Sequence, residues 1–237
     1  MPIIQHLGTA FASGAGAAAN PDPFGDGSCR SYYPLDTVNG QNDINGGYHF
    51  NYYSGASFIS GGKVDGCWDG TGSNYMNYGS QGVANVTNYT LNFWYRSSTT
   101  SQSNKRLVTL RAQSYTCGWS NYAGSLGFYT GNSSNYSTSV TRRRQLPDGW
   151  VNDGNWHMLT ATMSSSGSWE IYLDSNQTNG SSNQGDGRSF NSDGYLALTC
   201  YNNSTGYNTI GNVDNLRIFS RVLSASEIAT LYTMENI

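Results

Sequence analysis

Residues 156–174 read WHMLTATMSSSGSWEIYLD. In an extended chain successive side chains point to opposite faces, so Leu159, Ala161 and Met163 share one face of a first strand. Trp169, Ile171 and Leu173 share one face of a second strand. Ser164, Ser165, Ser166 and Gly167 between them supply turn chemistry, and the stretch predicts a β-hairpin with one buried side. The same period recurs upstream in residues 89–96, YTLNFWYR. There Tyr89, Leu91, Phe93 and Tyr95 lie on one face, and Thr90, Asn92, Trp94 and Arg96 on the other. Arg106–Arg111, Tyr195–Thr199 and Asn215–Phe219 read as further strands. One helix is expected near the end, where Ser224 and Glu227 have the spacing of a capping box and Ile228 and Leu231 share an apolar face. It is too short to stand alone and has to dock on the sheets.

Composition agrees with an ordered β-rich chain. Charged residues make up 11% of the 237 residues and aromatics 14%, with 29 Gly and 18 Tyr. Disorder needs few aromatics and a high net charge, and neither holds. The net charge of −3 gives no electrostatic reason to expect nucleic acid or an anionic membrane. The cationic run Arg142–Arg144 reads as a solvated strand end. No apolar stretch approaches the ~20 residues of a membrane span, and residues 1–20 lack the basic start and continuous apolar core of a secretory signal. The four cysteines, Cys29, Cys67, Cys117 and Cys200, form no CxxC pair and are expected as reduced, buried thiols.

Residues 1–27 differ from the rest, with an apolar opening, an Ala/Gly stretch and then Pro21 and Pro23 among Asp22, Gly25, Asp26 and Gly27. They read as an arm ahead of a globular body at 28–237.

Several stretches, taken in order, resemble the laminin-G-like, concanavalin A-like lectin and glucanase family. They are Tyr32–Asp36 with Asn42-Asp43 and Gly46-Gly47, then Gly62–Gly70, Tyr89–Arg96 and Asp153–His157 with Tyr172–Asp174. The most specific is Gly211–Ile228, although Asn215 stands where an acidic residue is frequent. The resemblance places no counterpart for Gln113–Gly149. The resemblance implies an all-β, two-sheet antiparallel jelly-roll sandwich with one short C-terminal helix and an extended N-terminal arm. The arm is similar to those of tailed-phage, especially marine, virion proteins. That second resemblance implies a structural protein of a phage particle (capsid decoration, head fibre or tail-associated), partnered by capsid or tail proteins and by its own copies. It would be made in the host cytoplasm and located in the virion. The alternative is a carbohydrate-binding lectin-like module, extracellular and directed at host-surface glycans.

An enzyme is not expected. Glycosidases flank the bond with two carboxylates, and the chain has only three Glu: Glu170, Glu227 and Glu235. Glu170 and Asp174 at i, i+4 read as two solvent-facing residues of one strand face. His157 reads as a hydrogen-bonded structural residue. Glycan-binding candidates are Tyr115, Trp119, Tyr122, Tyr129 and Tyr136, since aromatic faces among Asn side chains suit a sugar ring; a core or subunit interface would use the same residues. Calcium is the one cofactor the family resemblance implies, at Asp36, Asp43 and Asp214; Asx turns explain the same residues.

Overall fold

A computed structural model describes residues 20–36, 42–55, 57–78, 87–100, 102–103, 105–112, 115–122, 125–132, 142–146, 149–166, 168–178, 195–199 and 207–236. Its strands are β1 (Cys29–Tyr33), β2 (Tyr52–Ser54), β3 (Phe58–Ser60), β4 (Gly66–Thr71), β5 (Tyr75–Tyr78), β6 (Tyr89–Arg96), β7 (Lys105–Ala112), β8 (Tyr115–Tyr122), β9 (Ser125–Asn132), β10 (Arg142–Gln145), β11 (Trp156–Met163), β12 (Trp169–Leu173), β13 (Asn176–Gln177), β14 (Tyr195–Leu198) and β15 (Ile210–Phe219). One helix, α1 (Ala225–Glu235), follows.

The strands form two antiparallel sheets. The first runs β13-β12-β11-β6-β15-β4-β3, and β1 also pairs with β15. The second runs β10-β9-β8-β7-β14-β5-β2. β15 serves two partners on one edge because it is long: its start pairs with β4 and its end with β1. Between these halves the register against β6 shifts at Asp214–Arg217. Asn215 sits at this bulge with φ +49°, a conformation asparagine tolerates better than most residues. Its Oδ1 accepts from the Tyr32 hydroxyl at 2.7 Å.

The two-residue period sets the core. Tyr89, Leu91, Phe93 and Tyr95 point between the sheets with Leu159, Ala161, Met163, Trp169, Ile171 and Leu173. Trp94 points outward into a second cluster with Phe219, Leu223, Ile228 and Leu231. α1 covers this outer face. Ser224 Oγ accepts from Glu227 N–H at 3.3 Å, and Glu227 Oε2 accepts from Ser224 N–H at 2.8 Å, which satisfies two otherwise orphaned donors. Burying Ile228 and Leu231 stabilises the docked helix by about 1.5–3 kcal/mol each. Trp94 Nε1 donates to Glu235 Oε2 at 2.6 Å, and Arg217 Nη1 meets Glu235 Oε1 at 2.5 Å.

The stretch Gln113–Gly149 contains β8, β9 and β10, a meander completing the second sheet. Arg144 corrects the reading of the cationic run as solvated. It is buried, lies over the Trp169 ring and pairs with Glu170 of the opposite sheet. Glu170 is therefore an inter-sheet partner, and Asp174 lies beyond the end of β12 at φ +49°.

Residues 20–27 lie on the sandwich. Phe24 packs on Phe219 with ring centroids 5.8 Å apart, and Asp26 pairs with Arg221 at 2.8 Å. Residues 1–19, most of the predicted arm, lie outside the described residues. Cys29, Cys67 and Cys117 are free and buried, and burial pushes the thiols of Cys29 and Cys67 up to about 12. Cys200 lies outside the described residues. No described helix is long and apolar enough to cross a membrane.

Candidate functional site

Strand register builds a row of side chains on the outer face of the first sheet. Asp69 of β4 lies opposite Asn212 of β15, Asn212 opposite Arg96 of β6, and Arg96 opposite Trp156 of β11. All four are half-buried. They face outward because their chain neighbours Trp68, Val213 and Tyr95 face the core. The row is joined by hydrogen bonds. Asn212 Nδ2 donates to Asp69 Oδ1 at 3.1 Å. Arg96 Nε and Nη2 both donate to Asn212 Oδ1, at 3.2 and 3.0 Å. The guanidinium carbon of Arg96 lies 4.7 Å from the centre of the Trp156 ring, a cation–π contact of about 0.5–2 kcal/mol at such a half-buried place.

The row borders a groove of about 220 Å³ whose lining includes Asp69, Arg96, Asn212, Thr99, Gly154 and Ile210. Its walls are tied at three points. Gln102 Nε2 donates to Ile210 O at 2.9 Å while its Oε1 accepts from Ile210 N–H at 2.7 Å. This side chain supplies the rung a neighbouring strand would supply. Gly154 N–H donates to Ser97 O at 2.9 Å. Beside Gly154, His157 bridges Asp174 (Nδ1 to Oδ2, 2.7 Å) and Asp153 (Nε2 to Oδ1, 3.2 Å). The hydrogen bond to Asp174 raises the His157 pKa above its ordinary value, against the opposing effect of burial. Beneath the row Gly211 has φ +146°, and a Cβ there would lie 2.6 Å from the Tyr95 ring.

The residues singled out in the sequence fall elsewhere. Trp119 is fully buried between Phe93 and Phe128, at ring distances of 6.2 and 5.8 Å. Tyr129 is 4% exposed and lies under Arg106, 5.2 Å from its ring centre. Neither presents a face to a ligand, which corrects their reading as sugar platforms: the alternation that places Trp119 and Phe128 inward fills the sandwich. Tyr115 and Tyr122 stand at the two ends of β8, with side chains outside the described residues, and Tyr136 lies wholly outside them. Trp150, which sequence reasoning passed over, is 52% exposed on the loop before β11.

The three aspartates do not gather. Asp43 accepts backbone N–H groups on both oxygens, from Tyr32 and Asn45 on Oδ1 and from Tyr48 on Oδ2. Asp36 accepts from Gly66 N–H at 3.1 Å and Asp214 from Val64 N–H at 2.9 Å. Burial holds the Asp214 carboxyl well above the usual carboxylate range, and Asp36 adds to that. Calcium takes six to eight oxygens. Among the described residues no three acidic, His or Cys side chains surround a common point, so these three do not fit a single calcium site.

The profile of the family described as "Concanavalin A-like lectin/glucanases superfamily", of laminin-G type, matches residues 69–229, more than half the chain. The chain belongs to the concanavalin A-like lectin/glucanase superfamily. The expected two-sheet jelly-roll sandwich with its short C-terminal helix is the fold observed. Among solved structures, this superfamily member is similar to domain 4 of AbnA, a GH43 extracellular arabinanase from Geobacillus stearothermophilus, in complex with arabinotriose. The TM-score is 0.67 at 14% identity, over 86% of this chain and 98% of that one. It is also similar to the botulinum neurotoxin serotype D ligand binding domain in complex with N-acetylneuraminic acid (TM-score 0.62, 14% identity, 87% of this chain and 51% of that). A third is the binding domain of Paraclostridial Mosquitocidal Protein 1 (TM-score 0.59, 13% identity, 81% and 48%). The chain thus spans about half the length of these toxin domains. At such identities the likeness establishes the fold alone. No curated protein sequence matches the chain.

Proposed function

We propose that this chain is a non-enzymatic carbohydrate-binding module whose ligand site is the groove lined by Asp69, Asn212 and Arg96. The observation that carries the reading is the row itself: donors and acceptors fixed side by side at an open groove, with Arg96 held over the Trp156 ring at the end of the row, a polar array of the kind with which proteins hold sugar hydroxyls. The solved neighbours bound to arabinotriose and N-acetylneuraminic acid support it. Binding without cleavage is supported by where the acids are. Glu170 pairs with Arg144, Glu227 caps α1 and Glu235 pairs with Arg217, and among the described residues Asp69 is the one carboxylate lining the groove. Hydrolysis needs two.

The groove is smaller than the ~300–1,000 Å³ of typical drug-sized sites. It fits one sugar unit, and a single site of that size binds weakly. Weak sites become useful when many are displayed together, because each later contact is intramolecular. Repetition of this kind is what a particle surface offers. With it goes the second reading, favoured by the likeness of residues 1–27 to arms of phage virion proteins: the module decorates a virion, and its arm joins capsid or tail proteins or sister copies. An extracellular lectin is the alternative setting.

A glycan array probed with the intact chain, with and without calcium, alongside Trp156→Ala, tests the first reading. Binding that Trp156→Ala weakens supports it, and an array blank in both conditions sinks it. Light scattering of the chain lacking residues 1–19 tests the second while leaving the Phe24–Phe219 contact in place. If the intact and shortened chains are the same monomer and neither binds particles, the virion reading fails.

A further inference from the structure

We propose that His157 is a proton-operated latch on one wall of the groove: doubly protonated it ties the turn at residues 153–155 to β11, and neutral it releases that turn. The placement of the ring carries this. His157 Nδ1 lies 2.7 Å from Asp174 Oδ2 and Nε2 lies 3.2 Å from Asp153 Oδ1, so each ring nitrogen faces a carboxylate. A neutral imidazole has one N–H and one lone pair, and only the imidazolium donates from both nitrogens. One of the two contacts is therefore a hydrogen bond only while the ring is charged. The Asp174 side is the fixed one. Asp174 Oδ1 accepts from Met158 N–H at 2.8 Å, and Asp174 N–H donates to Met158 O at 2.9 Å. The neutral ring accordingly keeps its proton on Nδ1, and its Nε2 lone pair faces Asp153, the more exposed of the two carboxylates. Two acceptors then oppose each other, and the contact turns repulsive.

What the latch holds is part of the groove. Gly154 lines it beside Ser97, Ser98 and Thr99. Its N–H donates to Ser97 O, and Ser97 Oγ donates to Ile210 O at 3.0 Å, so the turn is one end of a chain that reaches Ile210, another lining residue. Asp153 folds the turn on itself, accepting from Asn155 N–H at 2.8 Å and from Asn155 Nδ2 at 2.7 Å. Asn155 N–H, with the ring, also keeps the Asp153 carboxyl below the usual carboxylate range, so Asp153 stays charged while His157 titrates. Val151 and Asn152 ahead of the turn are buried, and Trp156 after it begins β11, which confines the release to three residues. Among the described residues the charged groups acting on the ring are Asp174 and Asp153. Lys63, ahead of β4, and Tyr232 of α1 interact with Asp174. On β6, Tyr95 lies opposite His157 and donates to Ile210 O, while Arg96 is committed to Asn212 and the Trp156 ring. The wall is therefore best formed on the acidic side of the ring's titration. It is common to any ligand of the groove, so the latch stands apart from the carbohydrate reading.

The test needs no ligand. NMR spectra of the intact chain between about pH 5 and pH 9 follow the His157 ring nitrogens and the Gly154 amide through the histidine range. Both ring nitrogens are expected to carry protons at the acid end and Nδ1 alone at the alkaline end, with a midpoint above about 6.5. The Gly154 amide shift should follow the same midpoint. Its protection from hydrogen exchange, corrected for the intrinsic effect of pH, should fall about tenfold, the scale of one charge-assisted hydrogen bond lost. Asp153→Asn is expected to remove most of the Gly154 response while His157 still titrates against Asp174, because an amide can turn either a donor or an acceptor to the ring. Its melting temperature, measured alongside, reports its folding, and the wild-type spectra decide the question without any variant. A Gly154 amide indifferent to the His157 titration overturns the proposal. So does a neutral ring that carries its proton on Nε2, or a folded Asp153→Asn in which Gly154 responds as in the wild type. None of these outcomes touches the carbohydrate reading, and a blank glycan array leaves the latch standing.

Discussion

Gln102 occupies the place beside Ile210 that β6 does not reach, since β6 first pairs with β15 at Asn212, and its buried amide bonds both backbone groups of Ile210. Replacing it removes two hydrogen bonds and takes the acceptor from the Ile210 N–H, while Ile210 O keeps the Tyr95 and Ser97 hydroxyls. Gln102→Ala is expected to lower stability by about 1–3 kcal/mol, read from the urea midpoint at unchanged m-value. His157 gives a second prediction at this scale. Its pKa is raised in the folded state by Asp174 and Asp153. The folded state therefore holds the proton more tightly than the unfolded chain, so the stabilisation is complete below the ordinary His value of about 6.5. It fades as pH rises through the higher folded value. The melting temperature of the wild type relative to His157→Gln should accordingly shrink from pH 6 upward. A difference that does not change with pH would show the bridge to be electrostatically idle.

Among the elements, α1 is held by more than its apolar stripe. Glu235 in its last turn meets Arg217, which is 1% exposed, and takes the Trp94 N–H. Glu235→Ala strands a buried guanidinium and is expected to cost about 3–5 kcal/mol by chemical denaturation. The double variant Arg217→Met with Glu235→Leu should recover most of that loss, since neither charge then remains to be desolvated. If the double variant is as unstable as the single one, packing rather than charge explains the effect. Elements whose pattern is strict were legible from sequence: β6, the β11–β12 hairpin and the capped start of α1 lie where the alternation and the Ser224–Glu227 spacing put them. β8 and β9 were missed although Cys117 and Trp119, and Leu126 and Phe128, alternate inward in the same way. Their outward positions are small or polar, so the stretch resembles a loop in composition while behaving as sheet in period.

For the whole molecule, the site was illegible because its members are local to nothing. Asp69, Arg96, Trp156 and Asn212 come from four strands and meet only through register. Aromatic density in the sequence pointed instead to Trp119 and Tyr129, which the sandwich consumes as core and as a partner for Arg106. The dispersed aspartates lead to one prediction at this scale. Removing divalent cations with EDTA should leave the melting temperature and any glycan binding unchanged. A calcium-dependent rise in melting temperature would return Asp36 and Asp214 to consideration as cation ligands.

The place of β15 in the first sheet also bears on how the chain is made. It lies between β6 and β4 and also pairs with β1, yet it comes last of the strands in chain order. A ribosome adding ~5–20 residues per second needs on the order of ten seconds to travel from the end of β6 to the start of β15. Throughout that interval the edges of β4 and β6 that β15 will join have no native partner. Pairings as distant as Tyr33 with Leu216 cannot form early, and long-range pairing of this kind is slow in itself. Assembly of the first sheet is therefore a late event in synthesis, and the nascent chain must keep two bare strand edges from pairing with other chains until it arrives.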